Sequence, residues 1–167
     1  MVAYAFGSPW DILSNERLAA LARDCFTESL AKVIFTQREL QIPFVSADKV
    51  EYISNDKKAE PTLRIARWAV RRAVEMGLVS LIVVAAEPHI ERCVRDVRWA
   101  VREQQADAEI LVEAYSCQLR FLSPFPVGAW FCSDSTQPHT RSSRAWWPRE
   151  RLLRCMPMCL YTRVVGG

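Results

Sequence analysis

The sequence predicts an α/β protein built on a mainly parallel sheet, and three observations carry that expectation. Over roughly the first two-thirds of the chain, short apolar runs alternate with amphipathic helical patterns, the texture of successive βα units. Leu81-Ile82-Val83-Val84-Ala85-Ala86 is an unbroken small and β-branched run, as expected of a strand covered on both faces. Polar residues recur just after the apolar runs, where an open parallel sheet gathers its carboxyl-terminal strand ends along one edge.

In chain order, Val2 to Phe6 reads as the first strand, ended by Gly7-Ser8-Pro9. Ser14 is the expected N-cap of a helix running to about Glu28, with Leu18, Leu21, Ala22 and Cys25 on its apolar face. Lys32 to Phe35 is a second strand followed by Thr36-Gln37, and Lys49 to Ile53 a short third. Residues 54–62 form a polar loop that places Pro61 in the first turn of a helix reaching about Met76. Gly77 stops that helix, and Ile65, Ala66, Ala69, Val70 and Ala73 form its inner face. Ser80 to Ala86 is the next strand. Pro88 breaks it, and a helix from His89 to Gln104 turns Ile90, Val94, Val97 and Val101 inward. Glu109 to Ala114 closes the series. Pro124, Pro126, Pro138 and Pro148, among many Ser and Thr, predict irregular structure packed over the sheet, ending in a short helix near residues 149–154.

At 167 residues the chain suits one domain, an α/β core over 1–115 with an extension over 116–167. No apolar run approaches the roughly 20 residues of a membrane span. Residues 1–7 have no basic stretch and turn polar too early for a signal peptide, so the cytoplasm is the expected compartment. Six widely spaced cysteines fit free, buried or half-buried thiols. Cys155-Met-Pro-Met-Cys159 lacks a second ligand pair, so no metal is expected. Residues 1–113 carry 15 Lys/Arg against 17 Asp/Glu (−2), and residues 114–167 carry 7 against 2 (+5). Arginine makes up 18 of the 22 basic residues, and its planar fork suits carboxylate and phosphate groups.

The candidate site follows from the strand ends. Gly7 and Ser8, Thr36 and Gln37, Glu60 and Thr62, and Glu87, His89 and Arg92 converge on one edge of a parallel sheet. The helix start there also offers free backbone N–H groups to an anion. His89 has the titration range of a general acid or base. Arg92, one turn later, suits a phosphate or carboxylate, and Thr62 supplies a hydroxyl. Taken singly, each residue reads as structural sooner than functional, and their convergence is what argues for a site. There is no GxGxxG after the first strand, no GxxxxGK[ST] and no GxSxG, which disfavours standard dinucleotide, P-loop and hydrolase chemistry. Arg64, Arg67, Trp68 and Arg71 on one helix, and Arg92, Arg95, Trp99 and Arg102 on the next, share faces that read as solvated rather than as a nucleic-acid surface. Glu75, Glu91, Asp96 and Glu103 supply local partners.

These residues resemble the YdcF/SanA/ElyC-like family of bacterial domains of unknown function. The likeness covers residues 2–115: Gly7-Ser8 and Arg17-Leu18 match its first turn and helix, and Thr62 with Ala66 its Thr-containing helix start. Most specific is the apolar strand leading to His-x-x-Arg, here His89 to Arg92. The chain departs from the family at Thr36-Gln37-Arg38, where Ser-Gly-Gly is usual, and at Arg64-Ile65, where Glu-Asn is usual. The resemblance implies a Rossmann-like three-layer sandwich and no settled common reaction.

Two functions compete. One is a small-ligand protein, a binding protein or an enzyme, that holds an anionic or nucleotide-like molecule at the strand edge, with nucleotides and S-adenosylmethionine as the cofactors such an edge admits. The other is a non-catalytic interaction or homo-oligomerisation module that uses the Trp- and Arg-rich C-terminal segment.

Overall fold

Each apolar run after the first residue alternates between two burial partners, and that alternation organises the molecule. The computed structural model describes residues 1–29, 31–53, 60–104, 110–115 and 126–165. Five strands, β1 (Val2–Ala3), β2 (Ile34–Thr36), β3 (Val50–Tyr52), β4 (Ser80–Val84) and β5 (Leu111–Ala114), form one sheet in the order β3-β2-β1-β4-β5. Every pairing is parallel, with Val2 beside both Phe35 and Val83. Val2, Phe35, Leu81 and Val83 point to one face, under α2 (Thr62–Glu75) and α3 (Glu87–Glu103). Ala3, Ile34 and Val84 point to the other, under α1 (Leu13–Ser29). A sheet covered on both faces needs apolar residues at successive positions, which is why these runs do not alternate with polar ones. The architecture is the Rossmann-like three-layer sandwich.

Strands are shorter than the apolar runs suggest. β1 ends at Ala3, although the Tyr4 N–H still donates to Val84 O at 2.9 Å, and β4 ends at Val84. β2 is shifted toward Thr36, so Thr36 belongs to the strand itself. The α3 helix starts at Glu87 with Ala86 as cap, so Pro88 lies in the first turn instead of breaking a strand; there its missing N–H costs nothing. Its buried face is Cys93, Asp96, Val97 and Ala100, with Val94 and Arg92, while Ile90 and Val101 stay half-buried. α2 ends as expected. Gly77 has φ +63°, its N–H donates to Val74 O, and the Leu78 N–H reaches back to Ala73 O at 2.9 Å, closing a Schellman motif.

Ser14 is not a cap. It lies inside α1, and its hydroxyl donates to Phe6 O at 2.9 Å. Asn15 accepts from the Phe6 N–H and donates to the Gly7 and Pro9 carbonyls, so the first turn of α1 clamps the loop after β1.

The C-terminal segment is more regular than its prolines predict. Short 3-10 turns at Val127–Trp130 and Pro138–Thr140 precede α4 (Ser143–Cys155) and α5 (Met158–Val165). Ser142 caps α4 by accepting from the Ala145 N–H, and Pro148 is carried inside that helix. α4 starts six residues before the expected 149, and α5 was not expected at all. Trp146 of α4 packs with the α1-side layer, while Leu153 packs with Leu63 of α2 and Tyr161 of α5. Thus α4 straddles the end of the sheet and touches both layers. Among the described residues, no helix is long and apolar enough to cross a membrane.

Candidate functional site at the sheet edge

The strand order puts the site where it is. From β1 the chain moves outward through β2 to β3, then α2 carries it back to β4 on the opposite side of β1. The connections leaving β1 and β4 therefore diverge, and the crevice between their carboxyl ends is the usual ligand position in an open parallel sheet. A cavity of about 380 Å³ opens there. That volume lies in the roughly 300–1,000 Å³ range of small-molecule sites. Gly7 follows β1, Gln37 follows β2, Glu60 and Thr62 flank the start of α2, and His89 and Arg92 occupy the first turns of α3; all six line the cavity. His139, Thr140, Trp146 and Arg149 of the C-terminal segment close it from above.

Gly7 is required by its backbone. Its φ is +103°, and a Cβ there would stand 2.7 Å from Ser135 Oγ and 2.9 Å from Thr140 Oγ1.

Arg92 is 4% exposed and its donors are committed within the protein. Nε donates to Glu150 Oε2 at 2.9 Å, Nη1 to Thr62 Oγ1 at 3.0 Å and Tyr161 Oη at 3.3 Å, and Nη2 to His89 Nδ1 at 3.1 Å. Glu150, fully buried, also accepts from Arg154 Nε at 3.0 Å. Tyr161 Oη donates to Asp96 Oδ2 at 2.5 Å. Desolvation works against the Arg92 charge, but the Glu150 carboxylate more than restores it and holds the guanidinium above its ordinary value. Burial raises Asp96 above the ordinary carboxylate range. The arginine expected to grip a ligand is instead the hub that joins α3 to α4 and α5.

That hub dictates the state of His89. A guanidinium can only donate, so Nδ1 must accept and the ring proton sits on Nε2. Burial, then the charges of Arg92, Arg149 and Arg154, push the imidazolium far below its usual range, so the ring is neutral. Nε2 lies 3.5 Å from Thr62 Oγ1, a long contact for a side chain facing the cavity. Tyr4, Phe6 and Trp146 surround the ring at centroid distances of 6.5, 6.1 and 5.2 Å. His139 stacks on Trp146 at 5.8 Å, and half-burial lowers its pKa to about 4.

The remaining expected residues do not line this cavity. Thr36 is fully buried and spends its hydroxyl on Ala3 O at 3.0 Å, bridging β1 and β2. Ser8 ties the β1 loop to the C-terminal segment, its carbonyl accepting from the Thr136 N–H at 2.7 Å. Glu87 faces a separate groove with Arg95, Arg98 and Arg154, and its place in the first turn of α3 suits the helix dipole.

Three features escaped sequence reasoning. Tyr4, read only as strand, is one of the lining residues, and its buried hydroxyl has no hydrogen-bond partner among the described residues. Arg149 stands exposed at the rim, and no carboxylate pairs with it among the described residues. Glu150 and Arg154 show the i, i+4 spacing of a helical pair, but nothing local reveals that Glu150 reaches Arg92.

The arginine-rich faces are not simply solvated. Trp68 packs edge-on against Phe35, Trp99 joins the Leu63–Tyr161 cluster, and Arg95 lies 4.2 Å over the Tyr161 ring. Glu103 pairs with Arg67 of α2, Glu75 with Arg72, and Glu91 with Arg154. Trp130 and Trp146, two of the aromatic groups that the interaction reading relies on, are 2% and 1% exposed and packed inside, whereas Trp147 is half-buried and lines the groove that Glu87 faces. Cys25 and Cys93 are buried and Cys132 half-buried, whereas Cys155 and Cys159 are exposed, contrary to expectation, because the α4–α5 turn faces outward; Cys117 lies outside the described residues. No family model, curated protein or solved structure matches this chain.

Proposed function

We propose that the protein binds a small anionic or nucleotide-like ligand in the cavity between β1 and β4. The observation that carries the reading is convergence: six residues from four separate sequence positions meet around one cavity at the strand-order switch, and at its rim stands a guanidinium that no carboxylate pairs with among the described residues. Arg149 supplies the charge for the anion. His89 offers its Nε2 hydrogen, Thr62 its hydroxyl and Gln37 its amide, and Phe6 and Trp146 form an apolar wall against a ring or carbon skeleton. Arg92 acts behind them, orienting His89 and Thr62. The likeness to the YdcF/SanA/ElyC-like family at His89–Arg92 supports the same location.

Thermal-shift measurements against nucleotides, S-adenosylmethionine and phosphosugars test this. A stabilising compound is expected to lose its effect in Arg149→Ala and in His89→Ala, and to keep it in Arg98→Ala, whose side chain lines the other groove. A shift that survives both cavity substitutions would place the ligand elsewhere.

A further inference from the structure

Two residues that line this cavity each carry a buried polar atom with no hydrogen-bond partner among the described residues, and the two atoms differ in kind. Tyr4 Oη belongs to a residue 1% exposed, and Glu60 Oε2 to a side chain 7% exposed. A buried unsatisfied polar group is costly, and such groups are uncommon in folded proteins. Phe would fill the Tyr4 position at no such cost, because the ring already packs in the core layer under α2 and α3. Tyr4 stays neutral, since burial lifts its phenol well above the ordinary range, and it therefore brings a proton to donate. Glu60 brings an acceptor. Its charge is offset from outside by Arg64, whose Nε lies 3.2 Å from Oε2 without making a hydrogen bond.

We propose that the ligand is a hydroxyl-bearing anion, with one phosphate or carboxylate facing Arg149 and one or more hydroxyls meeting Tyr4 and Glu60. This rests on the ligand-binding reading above and narrows it. A hydroxyl is the simple neutral group that accepts from a phenol and donates to a carboxylate. An ammonium would meet Glu60, but it would enter a site that already holds Arg92 and Arg149 and a carboxylate already offset by Arg64. Ribose phosphates and sugar acids share the required chemistry.

Calorimetric titration of the full chain separates the possibilities. The probes are AMP and ribose 5-phosphate, set against 2′,3′-dideoxy-AMP and inorganic phosphate. The hydroxyl-bearing probes are expected to bind at least tenfold more tightly than their hydroxyl-free counterparts. Tyr4→Phe and Glu60→Gln should each weaken them by about three- to thirtyfold while leaving the counterparts unchanged. Tyr4→Phe should do so with an unchanged or raised melting temperature, which a structural tyrosine would not show. Anions that bind through Arg149 with equal affinity whether or not they carry hydroxyls would overturn the hydroxyl requirement and leave the anion site standing. Failure of all four probes to bind would remove both.

Discussion

Residues 1–115 and residues 126–165 are joined to the same cavity on different physical terms. The first region holds its site residues by apolar layers on the two faces of a parallel sheet, so Gly7, Gln37 and His89 are placed by where strands end. The second is anchored by Trp146 and Leu153 at opposite ends of α4, but between them Glu150 enters a fully buried ion pair with Arg92. Apolar contact weakens in proportion to the area lost. A buried charge pair fails abruptly, because either partner left alone is a stranded charge. The floor of the cavity should therefore respond to mutation by degrees, and its cover all at once.

The most severe test is Glu150→Ala. It strands Arg92 in the interior and should cost about 3–5 kcal/mol in chemical denaturation. The double variant Arg92→Met, Glu150→Leu should recover most of that loss, since apolar residues of similar volume commonly replace a buried pair without penalty. A cost for Glu150→Ala of a few tenths would mean that the cover is not held by charge. On the floor side, Gly7→Ala adds a Cβ at a positive φ beside Ser135 and Thr140, with an expected loss of about 2–4 kcal/mol by the same measurement.

Proton linkage distinguishes the regions next. His89 and His139 titrate lower in the folded protein than when unfolded, so their contribution is present above about pH 6.5 and is lost as the pH falls, for His139 down to about 4. Each should add a slope of about 1.4 kcal/mol per pH unit below 6.5, read from denaturation midpoints at stepped pH. His139→Asn should remove the part that ends near pH 4. Asp96 acts in the opposite sense: its raised folded pKa gives stability in acid that is lost as the pH rises through that value. The smallest effect belongs to the outer turn of the cover, where Cys155→Ser and Cys159→Ser should change stability by less than about 0.5 kcal/mol.

The same contrast explains what could be read from the sequence. The parallel sheet, the α2 C-terminus at Gly77 and the meeting of Gly7, Gln37, Glu60, Thr62, His89 and Arg92 all follow from local pattern: apolar runs, helical periodicity, and polar residues at strand ends. Thr36 and Ser14 were misplaced because a hydroxyl bonds a backbone carbonyl as readily as a ligand or a helix end, and residue type does not reveal which. The cover was less legible. Pro148 signals a break, yet α4 runs through it, held at both ends by tertiary packing that outweighs one lost helical hydrogen bond. The Arg92–Glu150 pair spans 58 positions and leaves no local trace.

The contact between Arg92 and His89 also constrains any reaction in the cavity. The nitrogen that a general base would use is turned toward a group with no lone pair to share, and the other nitrogen already bears hydrogen. For this ring to take up a proton it must first swing away from its cationic neighbour. An oxygen placed against the other nitrogen would be polarised without such a movement, so the resting ring is suited to donating a hydrogen bond and not to relaying hydrogen ions.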